Sequence, residues 1–499
     1  MIESRGIMDH PRASTHRLDE LLENVAVPQI AVPPIMVSGV AYDSRAVTEG
    51  AVFFCVPGFA HDGHDFARKA VERGAAALVV KHEIPGLDIT QVVVPDPRAA
   101  LAVAAARFYG SPSESLAVVG ITGTNGKTTT TYLLDAILRS AGMTTGVIGT
   151  VGTEVAGERR ETKRTTPESA DLQALLADMV AEGVDAVSME VSSHALDLHR
   201  VDDVAFRVAA FTNLSQDHLD YHSTLEEYFA VKRRLFTEFH PGRAVIDVDD
   251  PAGVALAADL DADVLLSVGR SPQAAVRAAD EQPGQVSTEF ELLTPAGEAH
   301  VHLPLAGAFN VSNALVAAGC ALALGVPLET VAEGLSEAPQ VPGRLERIEA
   351  GQPFAVLVDY AHTPDGLEKA IDAVRTVTPG RVITVFGCGG DRDPDKRPVM
   401  GKVAGVGSDL AIATSDNPRS EDPVGILLAV EDGLKRADAG YEIVVDRRRA
   451  IARAIDVAKA GDAVLIAGKG HEDYQIFADR TIHFDDREVA REELEKRWS

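Results

Sequence analysis

Apolar and polar positions along this chain form short continuous apolar runs separated by helical patterns, as expected when strands buried on both faces alternate with amphipathic helices. The clearest unit begins at residue 116: LAVVGIT reads as a strand, GTNGK as a glycine-rich turn, and TTTTYLLDAILRSAG as a helix. Within that helix Leu134, Ile137, Leu138 and Ala141 keep helical spacing, and Gly142 stands where a C-terminal cap belongs. Further strands are predicted at TTGVIGT, DAVSMEV, VAAFTNL and RAVIDV. Upstream, apolar runs at 51–56, 75–80 and 91–94 and one helical pattern, DFARKAVERGA, end in the turn-like GSPSES, which sets a boundary near residue 112. A second boundary falls in SEAPQVPGRLERI, where prolines and a glycine interrupt an Ala/Leu-rich helical stretch. Beyond it AVLVDY, RVITVFG, LAIATS, IVVD and AVLIAG alternate with helical patterns such as PDGLEKAIDAVRTV and RRAIARAIDVAKA, the mark of a parallel sheet covered by helices. The expected organisation is α/β, with three domains in series over 1–112, 113–341 and 342–499.

Length agrees with this count, since 499 residues exceed what one core can serve and about one domain per ~150 residues is usual. Lys and Arg total 47 against 75 Asp and Glu, a formal charge of −28, and no basic stretch is long enough to follow a nucleic-acid backbone. Nucleic acid is therefore not an expected partner. The most basic runs, Lys232-Arg233-Arg234 and Arg447-Arg448-Arg449, lie in helical patterns and are expected on solvated faces. Three scattered cysteines, Cys55, Cys320 and Cys388, form no CxxC pair, which speaks against a disulfide framework or zinc site and for a reducing, cytoplasmic setting. The first 17 residues are polar, and no window approaches 18 uninterrupted apolar residues, so neither secretion nor a membrane span is expected.

Candidate chemistry changes the picture more than composition does. GITGTNGKTTT, between a strand and a helix, resembles a P-loop, in which backbone N–H groups and the helix N-terminus hold nucleotide phosphates while Lys127 reaches the terminal ones. The strict pattern wants glycine where Ile121 stands; the glycines are Gly120 and Gly123. Thr128 would supply a hydroxyl to Mg²⁺. Glu190 ends the run DAVSMEV, where a neighbouring parallel strand would bring it close to the P-loop; as a lone residue it also reads as a surface acid. In NLSQDHLDYH, His218 and His222 stand four apart among acids, a spacing that suits a metal or two structural histidines.

TGTNGKTTT, EVSSHALDLHR, NLSQDHLDYH, GAFNVSNALVA, VPGRLE, DYAHTP, GCGGDRD, SDNPR and GKGHE, in this order over nearly the whole chain, resemble the Mur ligases. The branch most resembled adds the third residue to the UDP-N-acetylmuramoyl peptide of cell-wall precursors. The resemblance implies an ATP- and Mg²⁺-dependent ligase with a P-loop ATPase-like central sheet and a Rossmann-like third domain, forming an amide through an acyl phosphate. On motif match, Gly123, Thr124, Asn125, Gly126, Lys127, Thr128, Thr129, Asn310, Asn313, Arg344 and Asp359 contact ATP. Thr128, Glu190, His218 and Lys232, the last as a carbamate, hold metal; Lys127, Glu190, His218 and Lys232 are the catalytic set, and His222 stays structural. For the UDP-sugar peptide the matched positions are Tyr42, Ser44, Phe59, Ala60, His61, Thr165, Thr166, Ser192 and Arg200, with Leu198 departing from the family's glutamine.

In the third domain DYAHTP, GCGGDRD, SDNPR, DRRR and GKGHE each begin where an apolar strand ends, so all should face one crevice, as ligand-binding loops of open parallel sheets do. The mixed charge of SDNPR asks for a ligand carrying both carboxylate and ammonium. By resemblance Arg392, Asp416, Asn417, Pro418, Arg419, Gly468 and Glu472 receive meso-diaminopimelate, with Arg419 forking onto the carboxylate remote from the new bond. A monomer acting on small molecules in the cytoplasm is expected. The alternatives are a lysine-adding homologue, a folylpolyglutamate synthetase-like ligase, against which the N-terminal DSR and SDNPR stretches speak, and a P-loop ATPase switch, which would hydrolyse ATP without an acceptor.

Overall fold

AVVGIT is too short for a stable helix and apolar throughout; it forms the strand Ala117–Thr122 near the middle of an eleven-stranded sheet in the computed structural model, which describes residues 15–25, 32–58, 61–160, 164–218, 221–284, 287–437 and 440–498. Parallel neighbours flank it: Ala186–Glu190 and then Thr145–Ile148 on one side, Val208–Phe211, Arg243–Asp247 and Leu265–Gly269 on the other. Every run predicted as a strand in this region is one. Alternate residues of the central strand face opposite layers. Val119 and Ile121 meet the helices Lys127–Ser140 and Ala308–Ala323, while Val118 meets Leu172, Leu176 and Met179 of the helix Ser169–Ala181.

Both edges of this sheet carry antiparallel strands not anticipated from the sequence. A hairpin of Thr153–Val155 and Glu158–Arg160 closes one edge, and Val276–Pro283, Thr288–Thr294 and Gly297–Leu303 form a meander at the other. The signal was present in TEFELLT, where Thr288, Phe290 and Leu292 are buried in strict alternation.

Residues 39–93 form a separate four-stranded parallel sheet, Gly39–Ala41, Ala51–Phe54, Ala77–Val80 and Thr90–Val93, in sequential order. The helix Pro97–Phe108 covers it; the sequence reading missed this helix because its alanines give little amphipathic contrast, although Asp96 caps Arg98 and Ala99 and Pro97 opens the first turn.

The third sheet has parallel strands in the order Ala355–Asp359, Ala463–Ala467, Val382–Phe386, Leu410–Ala413 and Tyr441–Ile443, with Glu346–Arg347 antiparallel at one edge. The run expected at IVVD pairs two residues earlier, because Tyr441–Ile443 is the stretch in register with Ala411–Ala413. Shared strand direction puts the loops after Asp359, Phe386, Ala413, Ile443 and Ala467 on one end of the sheet.

One expectation fails here. Arg447 does not lie on a solvated face: it is fully buried, donating from Nε and Nη2 to both oxygens of Asp486 at 2.7 and 2.6 Å and from Nη2 to Ala467 O. Its helix opens directly behind the strand ends, so its first residue points into the domain, whereas Arg448 pairs at the surface with Glu492. Arg447→Met leaves Asp486 buried without a counter-charge and should destabilise this domain by about 3–5 kcal/mol, while the double change with Asp486→Leu recovers most of it. Urea unfolding followed by Trp498, the only tryptophan and edge-to-face with Phe354, reads this domain alone.

Candidate functional site

The turn after the central strand is held by its surroundings more than by its own bonds. Gly123 and Gly126 adopt φ +143° and +88°, and a Cβ on either would stand 2.0 Å from Thr212 Oγ1 or 2.2 Å from Asn313 Oδ1. Thr124 N donates to Asn213 O, Asn125 N to Asn213 Oδ1, and Thr212 Oγ1 to Asn125 O, all within 3.0 Å. Ile121 is still a strand residue in the core, so the glycine of the strict motif has no turn to make there. Lys127 Nζ folds back onto Gly123 O at 2.9 Å and Thr124 O at 2.7 Å, and Thr128 and Thr129 are buried in the first helical turn.

Glu190 pairs in register with Ile121, at the tip of the neighbouring parallel strand as expected. Its Oε1 accepts from Thr128 Oγ1 at 3.0 Å and Thr150 N at 2.8 Å, and its Oε2 from Thr150 Oγ1 at 3.0 Å. Thr128 and Glu190 are hard oxygen donors side by side, the kind Mg²⁺ takes when phosphate oxygens and water complete its shell. Among the described residues no three His, Cys, Asp or Glu side chains form a ready metal group.

Lys232 is the second correction. Rather than facing solvent it is buried, donating to Gly123 O at 2.8 Å with Nζ 4.4 Å above the Tyr228 ring, while Arg233 and Arg234 pair with Asp259 and Glu238 outside. Burial first, then the Lys127 ammonium, lowers the Lys232 pKa well below its ordinary value. His218, at φ +55°, has Nε2 3.4 Å from Asp217 and its ring 5.0 Å from that of His194. Burial pulls its pKa down to about 4, against the pull of Asp217, so its imidazole is neutral near pH 7. His222 Nε2 lies 3.0 Å from Ser193 Oγ in the interior, a structural placement.

The third domain meets this loop directly. Arg344 Nη2 donates to Thr128 Oγ1 at 3.0 Å while its guanidinium stacks 4.6 Å over Tyr360, and Asn125 Nδ2 donates to Asp365 Oδ2 at 2.9 Å. Asp359 accepts from Leu345 N and Ala361 N; burial raises its carboxyl although Arg344 opposes. Asn313 Nδ2 donates to Asn310 Oδ1, whose own amide donates to Ala306 O.

Around SDNPR, Asp416 and Asn417 are buried and Asn417 Nδ2 donates to Glu472 Oε2 at 2.9 Å. Arg419, at φ +53°, donates from N to Ile476 O and from Nη1 to Gly390 O at 2.7 Å, and Pro418 packs on Gly390. Gly468 has φ +121°, and a Cβ there would meet Asp416 Oδ2 at 2.6 Å. Arg392 is exposed, with Nη1 on Asp391 O. Tyr360, under Arg344, feels the charges of both Glu472 and Asp416, so it neighbours both this loop and the arginine that meets the phosphate loop.

Residues 36–109 match the Mur ligase family catalytic domain, 121–321 the Mur ligase middle domain and 343–470 the Mur ligase glutamate ligase domain. A UDP-N-acetylmuramoyl-L-alanyl-D-glutamate–2,6-diaminopimelate ligase of Bacillus licheniformis is 47% identical over 462 residues, covering 91% of this chain and 94% of its own. The chain belongs to the Mur ligase family. A solved structure bearing the same enzyme name superposes with TM-score 0.69 at 32% identity, covering 97% of this chain and 99% of its own. A MurF ligase from Thermotoga maritima in complex with ADP shares the fold, with TM-score 0.66 at 21% identity over 92% of this chain and 98% of its own. The three-domain α/β architecture of these ligases is the one anticipated here.

In this Mur ligase the remaining matched residues spread from Glu190 toward the N-terminal sheet. Thr166 Oγ1 donates to Glu190 O, Ser192 N to Thr166 Oγ1, Arg200 Nη1 to Thr166 O, and Thr165 Oγ1 lies 3.0 Å from Thr150 Oγ1. Buried Glu168 then gathers three guanidiniums: Arg98 at 2.7 Å, Arg164 at 3.1 Å, and Arg200 Nε at 3.0 Å without hydrogen-bond alignment. Tyr42 Oη donates to Asp171 and feels Glu168 and Arg164, so it belongs to the same region. Ser44 is buried in the loop after Gly39–Ala41, His61 packs edge-on against Phe66, and Leu198 ends the helix Ser193–Asp197. Phe59 and Ala60 lie outside the described residues.

Thr150, Asp217, Arg98, Glu168 and His471 were not singled out by sequence. Thr150 sits in a glycine-flanked turn and Arg98 in the unrecognised alanine helix, so neither had a motif to mark it. His471, inside GKGHE, could have been found: its ring lies 5.1 Å from Tyr360 and near the Thr150 carbonyl, and burial followed by Arg344, Arg487 and Arg159 pushes its pKa down to about 3. Gly126→Ala, strained by φ and by Asn313, should weaken binding of a fluorescent ATP analogue more than about tenfold. Gly142→Ala, also at positive φ but with open space around it, should leave that affinity within about twofold and lower only the melting temperature.

Proposed function

We propose that this Mur ligase joins meso-diaminopimelate to UDP-N-acetylmuramoyl-L-alanyl-D-glutamate at the expense of ATP, in cytoplasmic synthesis of peptidoglycan precursor and hence in cell shape, division and the cell cycle. The observation that carries the choice of acceptor is the group of buried Asp416 and Asn417, on the same loop as Arg419, with half-buried Glu472, which together offer a two-headed amino acid both anions and a cation. Relatives named for this activity, 47% identical over 91% of the chain, support the same reading.

In this reading residues 1–112 hold the UDP-sugar through Tyr42, Ser44, Phe59, Ala60 and His61, with Thr165, Thr166, Ser192 and Arg200 on the phosphates and peptide. Residues 113–341 hold ATP and 342–499 the amino acid. The substrate carboxylate attacks the γ-phosphorus, the bond to ADP breaks, and an acyl phosphate results. The free amine of diaminopimelate then attacks the acyl carbon; the C–O bond to phosphate breaks as the tetrahedral intermediate collapses and the nitrogen loses its proton. Gly123 to Thr129 bind the phosphates through backbone N–H groups, and Lys127 and Arg344 offset the negative charge that builds on them. Asn310, Asn313 and Asp359 orient adenosine between two domains, whose apposition excludes water from the acyl phosphate. Thr128, Glu190 and His218 would hold Mg²⁺, which would supply Lewis-acid stabilisation to the transferring phosphoryl group. A carbamate on Lys232 completes that set, since a buried amine depleted of its proton is the form that adds carbon dioxide.

The protein acts as a monomer on small molecules, with neither nucleic acid nor a membrane as partner; no described helix is long and apolar enough to cross a membrane. Lysine lacks the remote carboxylate, so binding it strands a desolvated arginine, and discrimination on the order of 10³ follows. Phosphate release is measured with ATP and the UDP-dipeptide, adding diaminopimelate, lysine, glutamate or no acceptor. Release is expected with diaminopimelate, and Arg419→Ala should raise its KM at least about tenfold with the ATP KM fixed. Equal rates with lysine, an unchanged preference in the variant, or release without any acceptor would each overturn the assignment, the last in favour of an ATPase switch.

A further inference from the structure

Lys469, second residue of GKGHE, is a fully buried cation that the mechanism above leaves unused. Its Nζ donates to Asn417 Oδ1 at 3.0 Å and Glu472 Oε2 at 3.4 Å, lies 3.8 Å from Asp416 Oδ1, and stands 5.5 Å over the Tyr474 ring. Lys127 and Lys232 donate to backbone carbonyls of the phosphate loop. Lys469 instead bonds only to side chains, and those side chains are among the ones assigned above to the acceptor, whose ammonium the carboxylates Asp416 and Glu472 suit. The charges can be counted. Arg447 behind the crevice is matched by Asp486, and Arg419 is assigned to the remote carboxylate, so at the ammonium end Asp416 and Glu472 stand against Lys469 and one negative charge is left over.

We propose that Lys469 is a positioning residue that sets the ammonium end of the acceptor pocket at one net negative charge and holds Asn417 and Glu472 facing the acceptor, so that a single ammonium is taken there. The inference rests on the proposed activity. Its chemical sense lies in the nucleophile. Two uncompensated carboxylates would favour the protonated form of whichever amine lay near them, and an ammonium cannot attack an acyl phosphate. Matching one carboxylate internally lets the remote ammonium be held while the attacking amine stays free.

Asp416 faces Lys469 from the GKGHE loop, Arg447 from the helix behind and His362 from DYAHTP, with Cys388 and Tyr360 also within its field, and Glu472 shares Lys469 with it. Burial alone would raise its carboxyl; Lys469, then Arg447 and His362, outweigh this and hold it below the ordinary value. Acceptor binding that needs ionised Asp416 is thus present above that depressed pKa and lost as pH falls through it. Without Lys469 the pKa rises, and the loss begins at a higher pH.

The test uses the full chain and the phosphate-release assay, with KM determined for each substrate in wild type, Lys469→Met and Lys469→Arg. Lys469→Met should raise the diaminopimelate KM about tenfold or more, leave the other two within about twofold, and move the acid limb of kcat/KM for the acceptor upward in pH. Lys469→Arg, which keeps the charge, should leave that limb in place. All three KM values rising together, or an unmoved acid limb in Lys469→Met, overturns the proposal. If Lys469→Met does not fold, Lys469→Gln replaces it: a limb displaced in Gln but not in Arg supports the role, and identical limbs sink it. No wild-type turnover with diaminopimelate sinks the activity and this inference together, whereas normal wild-type turnover with an indifferent variant sinks the inference alone.

Discussion

Two buried ammonium groups converge on one carbonyl oxygen, that of Gly123: Lys127 from the helix that follows and Lys232 from a helix more than a hundred residues on. Their nitrogens stand within roughly 6 Å, where two like charges at an effective dielectric of about 20 repel by about 3 kcal/mol. Burial adds to that cost, and it shows as a depressed pKa on both. Such a site is built for anions. A polyanion bound at the loop would turn the repulsion into attraction without moving the backbone. The surrounding framework exists to hold that geometry: Thr212 and Asn213 brace one side of the turn, Asn313 the other, and Thr150 fixes both oxygens of Glu190 beside it.

This explains why an acidic chain makes a cationic pocket. The net charge of −28 resides mostly on exposed helices and loops, screened by solvent, while the few cations that matter are those sequestered with backbone oxygens or with a single acid. Glu168 with its three guanidiniums repeats the pattern at the junction with the N-terminal sheet. Net charge speaks to solubility and partners; local count speaks to ligands.

Most of the frame was legible in sequence, because strands of parallel sheets are apolar runs and their helices carry a clear 3.6-residue period. What escaped had a physical reason. Antiparallel edge strands mix exposed and buried positions, so the hairpin at 153–160 and the meander at 276–303 lacked a continuous run. An alanine helix such as Pro97–Phe108 lacks contrast. Among the site candidates, Glu190 lies beside the P-loop as its strand-end position implies, because strand order follows from βαβ handedness. Lys232 and Arg447 were misjudged from composition, since a basic triplet on a helix hides which one of its members turns inward. Thr150 and Arg98 act through hydrogen bonds that only tertiary proximity creates, and a pattern of residue types cannot display those.

Arg344 shows how the nucleotide and amino-acid halves are joined. A guanidinium is planar, so it donates in its plane to Thr128 Oγ1 while its face lies on Tyr360; a lysine would have to choose. Beneath Tyr360 lies His471, and the two loops interlock so closely that a Cβ on Gly343 would stand 2.2 Å from His471 N. Burial keeps His471 neutral, so it adds no third positive charge beside Arg344 and Arg487. Coupling by stacking and backbone apposition has an advantage over coupling by ion pairs. Charge moves from ATP to the acyl phosphate to free phosphate during the reaction, and an ion-paired hinge would be pulled by each step. A stacked one keeps the acceptor loop in register with Thr128 throughout, which is the condition for an amine to meet the acyl carbon before water does.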